Sequence, residues 1–185
     1  MSMKKTLFVL AMVLVIAGCK KDKDNPNYIK YDGKEYALSQ GMIENWGLGW
    51  EDEGYNLDIS LLSSGFSISD AASVSGTGHG IYLWMYSSNS AYLESGTYHF
   101  DAEATEVAGT FEDGNAFVNL NVLAMTADIN NDIASGTVTV TRNGSAYTID
   151  INCIDEDNKA VAGHFEGTLR YFNHDSNKST KTKRF

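Results

Sequence analysis

Cysteine is scarce in this chain, with only Cys19 and Cys153 among 185 residues, so no framework of disulfides can staple it. Basic residues are scarce where they would be needed to bind polyanions. From residue 35 to residue 157 there are 19 carboxylates and a single basic side chain, Arg142. Such a surface repels nucleic acid and anionic headgroups, and nucleic acid is excluded as a partner. Long apolar runs are missing too: the apolar stretch near the N-terminus, residues 7–17, is too short to cross a bilayer as a helix. No window beyond it has the period of an amphipathic helix. A nucleophile elbow, a phosphate loop, a dinucleotide fingerprint and zinc-ligand spacing are all absent. The sequence therefore points to no enzyme class and to no cofactor.

What is present begins at the N-terminus. Lys4 and Lys5 precede the apolar stretch, and Ile16, Ala17 and Gly18 lead directly into Cys19. A charged start, an apolar core of about 7–15 residues and small residues at the cut are the marks of a secretory signal. An aliphatic residue, two small residues and then Cys resembles the lipobox of bacterial lipoproteins. The resemblance implies removal of residues 1–18, lipidation of Cys19 and attachment to the membrane through that lipid. Each buried methylene contributes roughly 0.8 kcal/mol, so one acyl chain holds marginally and two or more hold stably. Residues 20–27 mix Lys, Asp and Asn around Pro26, the only proline, and read with Cys19 as a tether spanning 19–27. Residues 174–185 carry Lys178, Lys181, Lys183 and Arg184 without apolar periodicity and read as a disordered basic tail. Without the first 18 residues, 12 basic side chains face 24 acidic ones, a formal charge of −12.

Residues 28–173 then form a single domain of a length that suits one core. Apolar and polar residues alternate through almost all of it, the period of strands. Segments 28–31 and 35–38 flank Asp32 and Gly33, which favour a tight hairpin turn. Further strands are expected at 42–50, 55–61, 81–87, 96–101 and 116–124. The segments 137–141 and 147–153 lie on either side of Asn143 and Gly144, the strongest hairpin signal in the chain, and 161–171 follows. The sum is an all-β domain of about nine or ten antiparallel strands, a β-sandwich or a lipocalin-like barrel.

Three groups of residues could carry function. On the strand 81–87, Ile81, Leu83 and Met85 share one face and Tyr82, Trp84 and Tyr86 the other. With a rise of roughly 3.3 Å per residue the second face is a row of rings about 7 Å apart, able to stack on sugars or apolar ligands. Trp46, Trp50 and Tyr55 could extend it, although a strand covered on both sides would absorb the same rings into a core. Asp128, Asn130 and Asp132 have the spacing of the first ligands of a calcium loop, but Ile133 and Thr139 stand where that loop needs Gly and Glu, so only a looser metal site is open to them. His99 with Asp101 and His164 with Glu166 share strand faces, and could meet a metal if their strands were neighbours. Cys153 alternates with polar residues and neighbours Asp150, Asp155, Glu156 and Asp157, a setting for a core thiol and against a thiolate nucleophile.

The lipobox and charged tether are joined by Tyr-Asn-Leu-Asp-Ile at 55–59, Ser-Gly-Thr-Tyr at 95–98, Ser-Gly-Thr-Val-Thr-Val at 135–140 and Gly-His-Phe-Glu-Gly-Thr-Leu at 163–169. In this pattern the chain resembles small all-β lipoproteins of the Bacteroidetes. The resemblance implies an outer-membrane anchor facing the periplasm or the medium. The expectation is a non-enzymatic, envelope-anchored domain that binds a small apolar or saccharide ligand or a protein. Its alternative is a structural or interaction protein of the envelope without a small-molecule site.

Overall fold

The computed structural model describes residues 27–50 and 53–175, so Cys19, the rest of the tether and most of the basic tail lie outside the described residues. Twelve strands follow one another: β1 (Tyr28–Tyr31), β2 (Lys34–Ala37), β3 (Gln40–Leu48), β4 (Tyr55–Leu62), β5 (Phe66–Ile68) and β6 (Val74–Ser87), then β7 (Gly96–Phe100), β8 (Thr110–Asn121), β9 (Ile129–Asn143), β10 (Ala146–Asp155), β11 (Ala160–Thr168) and β12 (Arg170–Asn173). They form one sheet in the order β12, β3, β4, β6, β8, β7, β9, β10, β11, β1, β2, with β5 added to β6 and β8 paired also with β9. The domain is all-β.

Two features differ from the sequence expectation. The sheet is mixed, because β12 runs parallel to β3 and β7 parallel to β8. It is also not closed into a barrel: β12 and β2 are its free ends. The sheet instead curls over one core. Ile43, Leu57, Ile59, Ile81, Leu83 and Met85 from one half meet Ile29, Val138, Ile149, Ile151, Val161 and Phe165 from the other in a single buried cluster. Alternation decides which residues enter it, since a strand sends successive side chains to opposite faces. In β10 the inward set is Tyr147, Ile149, Ile151 and Cys153, all buried. Cys153 is therefore a core thiol, pushed up to about 11 by burial.

The turns show how closely local chemistry sets register. Asp32 and Gly33 both take positive φ, as a two-residue hairpin joining Tyr31 to its partner Lys34 requires. The β9–β10 turn sits one residue later than expected: Asn143 pairs with Ala146, so Gly144 and Ser145 form the loop. Gly144 alone has positive φ, +62°, in the first central position. A slip of one residue would turn Tyr147, Ile149 and Ile151 outward, so core burial outweighs the preferred turn pair.

A second, smaller core lies on the opposite face of the sheet. Leu62, Phe66 and Phe117 are buried there, with Ile68, Val74, Leu120 and Val122 packed around them. β5 folds across β6 to build it. The first half of β6, Val-Ser-Gly-Thr-Gly-His-Gly, was not expected as a strand because it is poor in apolar residues. Its glycines provide the space instead: a Cβ at Gly78 would meet the Phe66 ring at 2.8 Å, and one at Gly80 would meet the Phe117 ring at 2.9 Å.

Candidate functional site

The outward face of β3, β4 and β6 carries most of the aromatic residues singled out in the sequence. Ile81, Leu83 and Met85 point into the core, and Tyr82, Trp84 and Tyr86 take the other side of β6. They are not an open row. Tyr86 is 1% exposed, and its hydroxyl donates to Glu112 Oε1 at 2.9 Å. The segment 106–109 lies over it, with the Gly109 N–H donating to the Tyr86 carbonyl at 2.9 Å. Tyr82 and Trp84 are half-buried. The Tyr82 hydroxyl donates to Asp58 Oδ2 at 2.5 Å. The Trp84 indole N–H is buried and meets no acceptor among the described residues.

Trp46 joins them through a β-bulge, which adds one residue to a strand and re-aims its side chain. Asn45 pairs with Leu57 and Gly47 with Asn56, leaving Trp46 as the extra residue. Gly47 holds the bulge with φ of +75°, and its N–H donates to Asn45 Oδ1 at 2.7 Å. Asn45 Nδ2 donates to the Ser90 carbonyl at 2.8 Å and to the Tyr171 hydroxyl at 2.7 Å, so the bulge is tied to two distant segments. The parallel strand β12 delivers His174, whose ring stacks on Trp46 with centroids 4.3 Å apart and an 18° tilt. His174 Nε2 also reaches Glu44 Oε1 at 3.2 Å. A second bulge, between Trp84 and Met85, places Glu112 as the extra residue of β8 beside Tyr86.

The centre of this face is a buried carboxylate. Asp58 is 4% exposed and accepts from Tyr82 and from Asn56 Nδ2 at 2.6 Å. Burial pushes its carboxyl up to about 7, against the hydrogen bonds from Tyr82 and Asn56 that hold it down, and the nearby Glu44 charge raises it further. Glu112 is likewise raised by burial and by the charges of Glu106, Asp113 and Asp101, against the Tyr86 hydrogen bond. Burial and these carboxylates together raise the Tyr82 and Tyr86 hydroxyls far above the usual phenol range. Both phenols are therefore fixed donors. The result is a firmly held set of half-exposed rings with acids at their edges.

Trp50 stands at the rim of this face, 44% exposed. It belongs to the turn closed by the Gly49 N–H donating to the Gly54 carbonyl at 2.8 Å. Both glycines lie against Glu106, which brings Leu48, Trp50 and Val107 to one end of the molecule. Tyr55 is half-buried at the start of β4.

A cleft of about 430 Å³ lies apart from these rings, lined by Tyr36, Ser63, Ser64, His79 and Asn119 among others. Tyr36 and His79 pack ring to ring at 4.7 Å, and the Asn119 N–H donates to His79 Nδ1 at 3.2 Å. Burial, with the Lys34 charge behind it, lowers the His79 pKa and favours its neutral form. Sequence reasoning missed this cleft because its lining comes from β2, β6, β8 and the β4–β5 turn, and only folding brings them together.

The other candidates fall elsewhere. Asp128 lies just before β9, and Asn130 and Asp132 lie in its first half, where the backbone is extended and no turn gathers their oxygens. Asp128 Oδ2 instead accepts from Asn119 Nδ2 at 2.6 Å, and Asn130 Oδ1 accepts from Asn115. Among the described residues no group of three or more His, Cys, Asp or Glu is placed to hold a metal ion. His164 Nδ1 bonds Asp150 Oδ1 at 2.6 Å across the β10–β11 pair, and not Glu166. Asp101 closes a turn by accepting from the N–H groups of Glu103 and Thr105, while His99 is exposed on β7. No family model matches the chain, and no curated protein or solved structure matches it significantly.

Proposed function

We propose that this chain is a non-enzymatic binding domain, anchored in the outer membrane by lipid on Cys19, that holds a small saccharide-like ligand on the outer face of β3, β4 and β6. Trp46 and Trp84 are the stacking surfaces, His174 holds Trp46, Asp58 fixes Tyr82 on the same face, and Trp50 forms the rim. The observation that carries the reading is His174 stacked on the half-exposed Trp46 ring, on the same face as the hydrogen bond from Tyr82 to Asp58. Rings fixed before binding lose little entropy on contact, the general benefit of preorganisation. Acids and amides at the ring edges suit hydroxyl groups better than a purely apolar ligand. The anchor rests on Lys4 and Lys5, the apolar stretch and the residues before Cys19.

Intrinsic tryptophan fluorescence of the mature protein, titrated with a panel of soluble glycans, tests the ligand. One member of the panel is expected to bind. Trp84→Ala and Trp46→Ala are each expected to weaken it at least about tenfold, a loss of roughly 1.4 kcal/mol. No spectral change with any glycan would reject the saccharide reading. The anchor is tested separately: Cys19→Ser is expected to move the protein from the membrane fraction to the soluble one.

The exposed side chains Leu48, Trp50 and Val107, gathered where the 49–54 turn meets Glu106, favour a protein partner as the second reading. It predicts that Trp50→Ala weakens partner capture while glycans remain without effect.

A further inference from the structure

We infer that the turn between β8 and β9 is a membrane-contacting tip that orients the domain on a neutral, zwitterionic bilayer; the inference rests on the lipid anchor proposed above. Leu123 is 95% exposed and Met125 81%, the two most exposed large apolar side chains of the described residues. Isolated apolar residues on a surface are ordinary. These two share one firmly built turn. The Asn121 N–H donates to the Thr126 carbonyl at 2.8 Å, the Thr126 N–H returns at 3.4 Å, and Asn121 Oδ1 accepts from the Ala124 N–H at 2.9 Å. The Val122 N–H donates to the Gly76 carbonyl at 3.1 Å, which ties the base of the turn to β6. Met125 takes φ of +53°, uncommon for a residue with a side chain. Residues 122–126 carry no charge. Hydrogen bonds thus fix a backbone that presents leucine and methionine to water.

The chain outside the described residues indicates what covers them. Seven residues separate Cys19 from Asn27, and the eight Cα steps across them reach at most about 29 Å when fully extended. A lipid on Cys19 therefore keeps the domain close against the bilayer. Asn27 joins the domain at Leu38, whose N–H donates to the Asn27 carbonyl at 2.9 Å. Ala37, the preceding residue, lines the cleft together with Asn119, which stands two residues before the Asn121–Thr126 bridge. The tether and the apolar tip thus emerge around one cleft, on one side of the molecule. The acidic domain is repelled by anionic headgroups, which selects zwitterionic lipid.

The test uses the full mature, lipidated chain with Leu123→Cys, labelled with an environment-sensitive fluorophore. Cys153 is buried and stays unlabelled. A second labelled protein, with Ala91→Cys in the exposed β6–β7 loop, reports the far side. In phosphatidylcholine vesicles the label at 123 is expected to shift to shorter wavelength. Quenchers on the acyl chains should reach it at least about twofold more than the label at 91, since interfacial apolar groups sit roughly 5–10 Å into the headgroup boundary. Protein that sediments with vesicles while its 123 label stays as wet as the 91 label overturns the inference and leaves the anchor intact. Protein that does not sediment at all overturns the anchor, and the inference with it. Shielding of the 123 label without vesicles, rising with protein concentration, would assign the tip to a second copy of the chain and also overturn it.

Discussion

Asp155→Ala is expected to lower the unfolding free energy by about 3 kcal/mol, because one charged acceptor serves several donors and hydrogen bonds to charged groups are each worth roughly 1.5–3 kcal/mol. Asp155 is 1% exposed at the end of β10. It accepts from the Tyr31 hydroxyl, from Asn131 Nδ2 at 3.0 Å, and from the N–H groups of Asp157 at 3.0 Å and Lys159 at 2.7 Å. One carboxylate thereby fastens β1, β9 and the β10–β11 turn. Alanine leaves the buried Tyr31 hydroxyl and the N–H groups of Asp157 and Lys159 without their shared acceptor, while Asn131 Nδ2 keeps Asp157 Oδ2 at 2.9 Å. Tyr31→Phe removes one donor and should cost only about 1 kcal/mol. Urea denaturation of the two variants measures both losses, and equal small losses would show that the network is not cooperative. Burial acts to raise this carboxyl, but the hydrogen bonds from Tyr31, Lys159, Asn131 and Asp157 outweigh it and hold it below the ordinary aspartate range. Its stabilising contribution is therefore present above that range and is lost as pH falls through the depressed value.

Asp58 acts with the opposite sign. Its carboxyl is raised from 3.8 to about 7, so the folded protein prefers it protonated. The stability this confers is full below pH 3.8 and is lost as pH rises through 7. The interval corresponds to on the order of 4 kcal/mol. Asp58→Asn cannot ionise, and is expected to remove most of the decline between pH 4 and pH 7. At pH 5 the asparagine is the weaker residue by about 1–2 kcal/mol, because its amide meets donors already aimed at the site from Tyr82 and Asn56. At pH 8 the difference is expected to vanish or reverse. Urea midpoints of both proteins across that range decide the matter, and parallel pH profiles would rule out a raised Asp58.

Much of the fold could be read from alternation, and the reasons for what could not are local. The 81–87 strand and its two faces were legible because Ile81, Leu83 and Met85 alternate cleanly with rings. The first half of β6 was hidden by glycines that exist to admit Phe66 and Phe117. The first half of β9 was hidden by polar residues whose spacing matched a metal loop as well as a strand. At the aromatic face, the sequence identified the rings but not what fastens them. Trp46 takes its place through a bulge, and its stacking partner His174 lies 128 residues further on, in a segment that read as disordered tail. Asp58 alternates outward between Leu57 and Ile59, as any solvated aspartate would. Asn56 is its neighbour on β4, but Tyr82 and Glu44 arrive from β6 and β3, outside the reach of any local pattern.

The parallel pairing of β12 with β3 sets Arg170 against Met42 and Asn173 against Asn45. Strand three thus has an unpaired edge until almost the last described residue is in place. Closing a loop of this length costs conformational entropy before any contact rewards it, and sheets dominated by such pairings fold in milliseconds to seconds rather than microseconds. Because His174 follows directly on β12, the stack on Trp46 depends on the same long closure. The aromatic face is therefore expected to form together with the global fold and not locally, so that Trp46 fluorescence would report folding of the whole domain.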